Sequence, residues 1–554
     1  MNKVKKMSQV GVLMIKKILF LLLILATSLY FIEANDKIGL NQYKPLLNVT
    51  YIANNYVLTW AKIPYFVYYE VDVFNSDPVG EQGPRSAMPS YKIAKYRTFD
   101  NVMKIDQKFP DNTYLRVSAH SLFHQPLGLY SDAVSILELN SDTKQAKLKP
   151  ISIINYPYNL PAPNIPLLKW TIVPGAVYYE IEFLSELAEN PNDIMPSSYQ
   201  ISSTREVFTN GYSIDLSNYP NNHLYWRVRA LNYSGEPLGV FSDATEIFID
   251  HTLPQVLKPL SNTGYQKANM PMPLYPVYSW LPIAGAVNYE VELTVDLPEN
   301  PNGVEPSKHQ IRTSIVKGGA DDYYDEEALN TPGTYYWRVR GLDQLDKPVG
   351  VYSDAEAFTV DLSAGNYSAT LGDSITHGGG AVSYSPADIE YSFQTYLAFP
   401  TMNVGKSGDT TETMLNRFNN DVLPFNPKFL IIMGGSNSLR GGIPASEVIE
   451  QLNSIQGKCL EYGIRPIFLT LPPINPVAIS QAFNEETVPD WQQQFSLVNH
   501  FIRNQRYYID LEPYFRDEND ELPNYYAIDG LHLDIEGKKL MSLIINTNWA
   551  RVTK

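Results

Sequence analysis

Three tryptophans, Trp60, Trp170 and Trp280, stand 110 residues apart each time, inside stretches that match one another. "VLTWAKIPYFVYYEVDVF" (Val57–Phe74) parallels "LLKWTIVPGAVYYEIEFL" (Leu167–Leu184) and "VYSWLPIAGAVNYEVELT" (Val277–Thr294). A second block repeats in phase, ending at Ser131, Ser242 and Ser353, which are 111 residues apart. Self-similarity at fixed spacing is the mark of a duplicated structural unit. The chain therefore holds three copies of one domain before its C-terminal third. Each copy alternates apolar and polar residues. In "YWRVRAL" Trp226, Val228 and Ala230 fall on one side and Arg227 and Arg229 on the other, which predicts a half-buried strand. Thirty-nine tyrosines and 40 prolines favour β-sandwiches broken by many turns.

The inward Trp, the later Tyr-x-Arg-Val strand and the Gly-x-Tyr/Phe-Ser-Asp edge resemble fibronectin type III or related immunoglobulin-like sandwiches. The first copy departs from the pattern, with Leu115 where the others have Trp226 and Trp337. The second and third share "ENPN" insertions at Glu189–Asn192 and Glu299–Asn302. The copies are expected at 37–142, 150–252 and 258–362. They serve either as spacers or as a contact to glycan or the cell surface.

At the N-terminus Lys3, Lys5, Lys6, Lys16 and Lys17 precede the apolar run Ile18–Ile32. That run is short for a membrane span and suits a signal-peptide core. Residues 1–34 are read as a signal peptide or an N-terminal anchor, and the body of the chain as secreted or displayed at the cell surface. A net charge of -16 argues against a nucleic-acid partner. The single cysteine, Cys459, forms no intrachain disulfide, belongs to no zinc-type spacing and reads as a small buried hydrophobe.

From about Tyr367 the texture changes. Apolar runs such as "FLIIMGGSNS" (Phe429–Ser438) and "RPIFLTLPP" alternate with amphipathic stretches such as Ser446–Gly463, with helical spacing at Val448, Leu452, Ile455 and Leu460. Further helices are expected in "FSLVNHFIRNQ" and "IEGKKLMSLIINTNWARV", and a strand in "RYYIDLEP". Strand–helix alternation implies a parallel sheet covered on both faces, over 366–554. The chain is thus multidomain: three all-β sandwich repeats followed by an α/β three-layer domain with a flavodoxin-like parallel sheet.

In open α/β sheets ligands bind beyond the carboxyl ends of the strands. Four polar motifs follow apolar strands here: "GDSIT" with Ser374, "NVGKSGDTT" with Gly408, "GGSNS" with Asn437, and "IDGLHLD" with Asp529 and His532. Ester hydrolysis needs a nucleophile, a base, an orienting acid and donors for an oxyanion. The four blocks, in this order, resemble the SGNH hydrolase family, also called the GDSL esterase/lipase family, over Ala369 to the C-terminus. The resemblance implies Ser374 as nucleophile, Asp529 and His532 as its partners, and an oxyanion hole from the Ser374 and Gly408 N–H groups and the Asn437 amide. It implies no metal and no cofactor. Many family members have Asp after the asparagine of the third block, where this chain has Ser438; that position tunes the loop.

Competing readings fall away. "GKS" at Gly405–Ser407 lacks the phosphate-loop glycine, since Pro400 stands in its place. There is no G-x-S-x-G elbow. His377 is read as shaping the pocket or facing solvent rather than as a second base, and His500 as structural. Asp534 could also orient His532, but the resemblance implies an acid before the histidine, and Asp534 stands two residues after it. Asp373 and Asp409 are read as loop-fixing. The expected substrate is an O-acetyl group on an extracellular or cell-wall polysaccharide. The alternatives are a lysophospholipase, lipase or thioesterase of the same fold, or a surface-binding protein with an inactive hydrolase domain. Tyr384, Tyr391 and Phe393 are expected either to form an open, sugar-stacking rim or to pack a helix onto the sheet.

Overall fold

The computed structural model describes residues 45–554 apart from 46, 53–54, 61–66, 76–77, 79–91, 111, 122–123, 132, 137–147, 155–160, 264, 266–269 and 518. The segment expected to direct export, 1–34, and the start of the first repeat lie outside the described residues. The chain forms two compact units: residues up to Asn140 with Asn546–Lys554, and Ser141–Ile545.

In the first unit Asn48–Ile52, Asn55–Thr59 and Val102–Ile105 make a three-stranded antiparallel sheet. A larger antiparallel sheet centres on Val67–Phe74 and Tyr114–Ser121. One buried cluster draws Leu58 and Trp60 from the first sheet together with Tyr69, Val71 and Leu115 from the second.

In the second unit a three-stranded antiparallel sheet with a larger one occurs twice more. Leu167–Trp170 and Tyr178–Leu184 centre one pair, Val277–Leu281 and Asn288–Thr294 the other. Apolar side chains from both sheets close each core around Trp170 with Trp226, and Trp280 with Trp337. The half-buried strand expected at "YWRVRAL" is instead buried on both faces: Arg227 is 0% exposed and Arg229 5%. Across the ladder Glu182 faces Arg227 and Glu180 faces Arg229, each as an ion pair. Both guanidinium groups lie over the Phe241 ring, at 4.2 and 4.4 Å from its centroid. Arg338 and Arg340 repeat this arrangement with Glu292, Glu290 and Tyr352. A charge survives burial when it is paired and hydrogen-bonded, so an alternating pattern here does not mean an open face.

The C-terminal domain is built on β1 (Ser368–Gly372), β2 (Met402–Asn403), β3 (Phe429–Met433), β4 (Arg465–Leu469) and β5 (Tyr508–Ile509). They are all parallel, in the order β2-β1-β3-β4-β5. Every residue of β1 and β3 is buried, as a sheet covered on both faces requires. The helices are α1 (Ser374–His377), α2 (Thr411–Asp421), α3 (Ser436–Arg440), α4 (Ala445–Glu461), α5 (Pro476–Phe483), α6 (Trp491–Arg503) and α7 (Ile535–Thr553). A Thr410–Thr413 capping box starts α2, and Asn475 caps α5 ahead of Pro476. On α4 the buried stripe is Val448, Leu452, Ile455 and Cys459, whereas Leu460 is 67% exposed. Only two residues of "RYYIDLEP" form strand.

Tyr384, Tyr391 and Phe393 are buried, and so form no open rim. Nor do they sit on a regular helix: the segment carries short 3-10 turns at Ile389–Tyr391 and Phe393–Tyr396. The Tyr384 and Tyr391 rings stack at 4.3 Å and share a core with Trp170 and Tyr179. The Tyr384 hydroxyl donates to the Val173 carbonyl at 2.7 Å.

Candidate active site

The carboxyl ends of β1, β2 and β3 lie side by side and present the motifs. β1 ends at Gly372, where a Cβ would collide with Thr376 and the Met433 carbonyl, so the strand end and α1 approach closely only because this residue is glycine. Asp373 caps α1 by accepting from the Ile375 N–H at 3.1 Å, and Ser374 is the first helical residue.

Asp529 and His532 come from the turn before α7, in which Asp529 is wholly buried. Its Oδ1 accepts from the N–H groups of Leu531 at 2.8 Å and His532 at 2.7 Å. Its Oδ2 lies 2.8 Å from His532 Nδ1, and His532 Nε2 lies 2.9 Å from Ser374 Oγ. Since the carboxylate only accepts, Nδ1 carries the proton and Nε2 is free to accept from the Ser374 hydroxyl.

Gly408 follows β2 in a turn with φ +83°, left-handed backbone that favours glycine. Asn437 lies on α3 after β3, and its Nδ2 donates to the Asp409 carbonyl at 3.0 Å. Asp409 is held by Arg417 Nε at 2.6 Å and Thr413 Oγ1 at 2.8 Å. Arg417 also donates to the Val404 carbonyl at 2.7 Å and the Gly372 carbonyl at 3.2 Å, tying the ends of β1 and β2 together. Ser438 Oγ accepts from the Thr411 N–H at 3.2 Å, which joins α3 to α2.

Ser374, Gly408, Asn437 and His532 line one cavity of about 280 Å³, with Gly378, Gly379, Gly380 and Ser407. Arg440 and Glu485, an ion pair at 3.0 Å, also line it, as do Phe483, Leu531, Tyr324 and the otherwise buried Tyr384. Tyr324 comes from the preceding β region, and no motif in "DDYYDEE" marks it.

The other candidates have definite places. His377 is buried rather than solvent-facing. Its Nε2 lies 2.8 Å from the Tyr275 carbonyl, and its Nδ1 accepts from the Ser407 N–H at 3.2 Å. Burial pushes its imidazole down to about 4, so it is neutral with its proton on Nε2. Asp534 is bonded to the Ile528 N–H at 3.1 Å, not to His532. His500 is exposed in the last turn of α6.

Lys538, which no sequence signal marks, is fully buried behind the nucleophile and donates to the Ile375 carbonyl at 2.9 Å. Burial pushes it down to about 7, and pushes the nearby Asp373 and Asp534 carboxyls up to about 6 and about 7. Among the described residues no group of three or more His, Cys, Asp or Glu is placed to hold a metal ion.

Residues 370–540 match the GDSL-like Lipase/Acylhydrolase family. Similar solved structures include a GDSL-like lipase from Bacteroides thetaiotaomicron, at 20% identity and TM-score 0.27, covering 33% of this chain and 87% of that one. A lipase/acylhydrolase from Enterococcus faecalis matches at 23% identity and TM-score 0.27, over 33% of this chain and 95% of that one. An acetyl xylan esterase from Geobacillus stearothermophilus matches at 18% identity and TM-score 0.25, over 32% and 93%. No curated protein matches this chain in sequence. Over residues 370–540 the chain is a GDSL-like lipase/acylhydrolase, a carboxylic ester hydrolase.

Proposed function

We propose that Ser374 is the nucleophile of an exported esterase that removes O-acetyl groups from an extracellular or cell-wall polysaccharide. The observation that carries the reading is the unbroken line from Asp529 through His532 to Ser374, at 2.8 and 2.9 Å. Ser374 Oγ attacks the acyl carbon while its proton passes to His532 Nε2. The imidazolium then gives that proton to the departing alcohol oxygen, leaving an acyl-serine. Water, deprotonated by the same nitrogen, attacks the acyl carbon and releases the acid. Asp529 fixes the tautomer and stabilises the charge on His532 throughout.

The oxyanion falls to the Ser374 and Gly408 N–H groups and the second N–H of the Asn437 amide. Among the described residues neither backbone N–H has a hydrogen-bond acceptor, and both residues line the cavity. The lining supports a short acyl group. Glycines, Ser374, Ser407, Asn437 and the Arg440–Glu485 pair share it with Tyr324, Tyr384, Phe483 and Leu531 in a space of about 280 Å³, whereas a long acyl chain needs a long apolar wall. Upstream we propose three fibronectin III-like repeats, and for the hydrolase a flavodoxin-like sheet.

Hydrolysis of p-nitrophenyl acetate and longer p-nitrophenyl esters by the chain lacking its first 34 residues tests this, beside Ser374→Ala. Turnover of acetate that falls steeply with chain length and vanishes in Ser374→Ala is expected. Equal activity of the two proteins removes Ser374 as nucleophile, and activity that rises with chain length removes the acetyl-ester reading.

A further inference from the structure

The β region immediately before the hydrolase touches the catalytic machinery at three points. Its strand Val277–Leu281 is preceded by "PMPLYP", and the dipeptide Leu274–Tyr275 of that segment is a backbone clip. The Leu274 N–H donates to the Asn403 carbonyl at the end of β2, at 2.9 Å. The Tyr275 carbonyl accepts from His377 Nε2 at 2.8 Å. These two partners are themselves joined, since Asn403 Nδ2 donates to the His377 carbonyl at 2.8 Å. From there the links run straight to the oxyanion side. Asn403 Oδ1 accepts from the Gly405 N–H at 3.0 Å, and His377 Nδ1 accepts from the N–H of Ser407, the residue before Gly408.

The Tyr275 side chain extends the same hold. Its hydroxyl donates to Asp421 at 2.7 Å, its ring lies under Lys406 Nζ at 4.7 Å, and Asp421 pairs with Arg417. Lys406 also pairs with Glu326 of the β region at 2.8 Å.

The third point is Tyr324. It stands opposite Val277 in the antiparallel ladder, so it shares one sheet end with the clip. Its ring meets His377 edge-on at 5.9 Å, and it lines the cavity that holds Ser374 and His532.

We infer that this β region is a working part of the active site: Tyr324 contacts the substrate, and Leu274–Tyr275, acting through Asn403 and His377, positions the loop that presents Gly408. His377 is here a positioning residue. It is neutral, and both of its ring nitrogens are engaged away from the reacting atoms. The inference rests on ester hydrolysis at Ser374 and goes beyond it, because it makes the hydrolase dependent on a neighbour that a spacer would not supply.

The test compares full-chain wild type with Tyr324→Ala, Tyr324→Phe, His377→Ala and His377→Gln. Two substrates are used, p-nitrophenyl acetate and acetylated xylo-oligosaccharide. In Tyr324→Ala the ratio of kcat/KM for the oligosaccharide to that for p-nitrophenyl acetate should fall about tenfold, and Tyr324→Phe should restore most of it, since an aromatic face is kept. In His377→Ala kcat should fall at least tenfold on both substrates with KM little changed, because oxyanion alignment acts in the transition state. His377→Gln, which keeps a donor for the Tyr275 carbonyl, should recover part of that loss.

An unchanged substrate ratio in Tyr324→Ala, or a His377→Ala effect confined to KM, overturns the inference while leaving the esterase intact. Thermal melting of each variant separates misfolding from misalignment, since a variant that melts like wild type and loses kcat is misaligned. Wild type inert on both esters overturns the esterase reading as well.

Discussion

Asp529 meets His532 at two atoms: Oδ2 lies 2.8 Å from Nδ1, and Oδ1 accepts the His532 backbone N–H at 2.7 Å. The second contact makes the first sensitive to chemistry. Oδ1 also takes the Leu531 N–H, so in Asp529→Asn the amide oxygen must stay there and the NH₂ must face Nδ1. That forces the ring proton onto Nε2, where it blocks removal of the serine proton. Turnover of p-nitrophenyl acetate should fall by about 10⁴ with the melting temperature little changed. A loss below about tenfold would mean that Asp529 does not set the tautomer.

Asn437 carries one of the three proposed oxyanion donors, and its orientation comes from the bond to the Asp409 carbonyl. Asn437→Ala should lower kcat by about 10²–10³ and leave KM within a few-fold, because the lost bond forms in the transition state. Steady-state kinetics on a single ester decide it.

Glu182 is the partner of a fully buried arginine, and its other carboxylate oxygen takes the Ser197 N–H at 2.7 Å. Glu182→Ala leaves Arg227 charged and uncompensated in the interior, at a cost of about 3–5 kcal/mol. The urea midpoint should drop accordingly. Replacing both members with apolar residues of similar volume should recover most of the loss.

His377 sets a pH window for stability. Burial first, then Arg417, Lys406 and Lys538, hold it down to about 4, although the Tyr275 carbonyl opposes them. In the unfolded chain it titrates near 6.5, so as pH falls from 6.5 to 4 the unfolded state takes up a proton that the folded state refuses. Above that window the group has no effect; by pH 4 it costs the fold roughly 3 kcal/mol. Asp373, shifted upward, acts in the opposite sense, so the comparison must be with a variant. Between pH 7 and pH 4 the melting temperature of wild type should fall further than that of His377→Gln.

The hydrolase was legible because its chemistry is written locally. Each of Ser374, Gly408 and Asn437 follows an apolar run, and parallel strands put such run-ends on one edge of the sheet. Asp529 and His532 are three residues apart, close enough for one turn to join them. The β-rich character of the region before the hydrolase was legible for a similar reason, since self-similarity and period 2 are properties of the chain itself.

Burial and neighbourhood were not legible. Arg227 alternates with apolar residues as an exposed side chain would, yet it is enclosed by Glu182 and Phe241, which arrive from other segments. Tyr384 and Tyr391 could as well have formed a rim as packed inward; both rings join a core with Trp170 and Tyr179, and Tyr384 also lines the cavity of Ser374. Thus the sequence by itself determined which groups can react and in what order they come. Only the tertiary structure decided that Tyr324 and the Tyr275 carbonyl reach the same site. Hydrogen bonds and ring contacts between distant segments depend on how whole domains pack, and packing leaves no periodic trace in the chain.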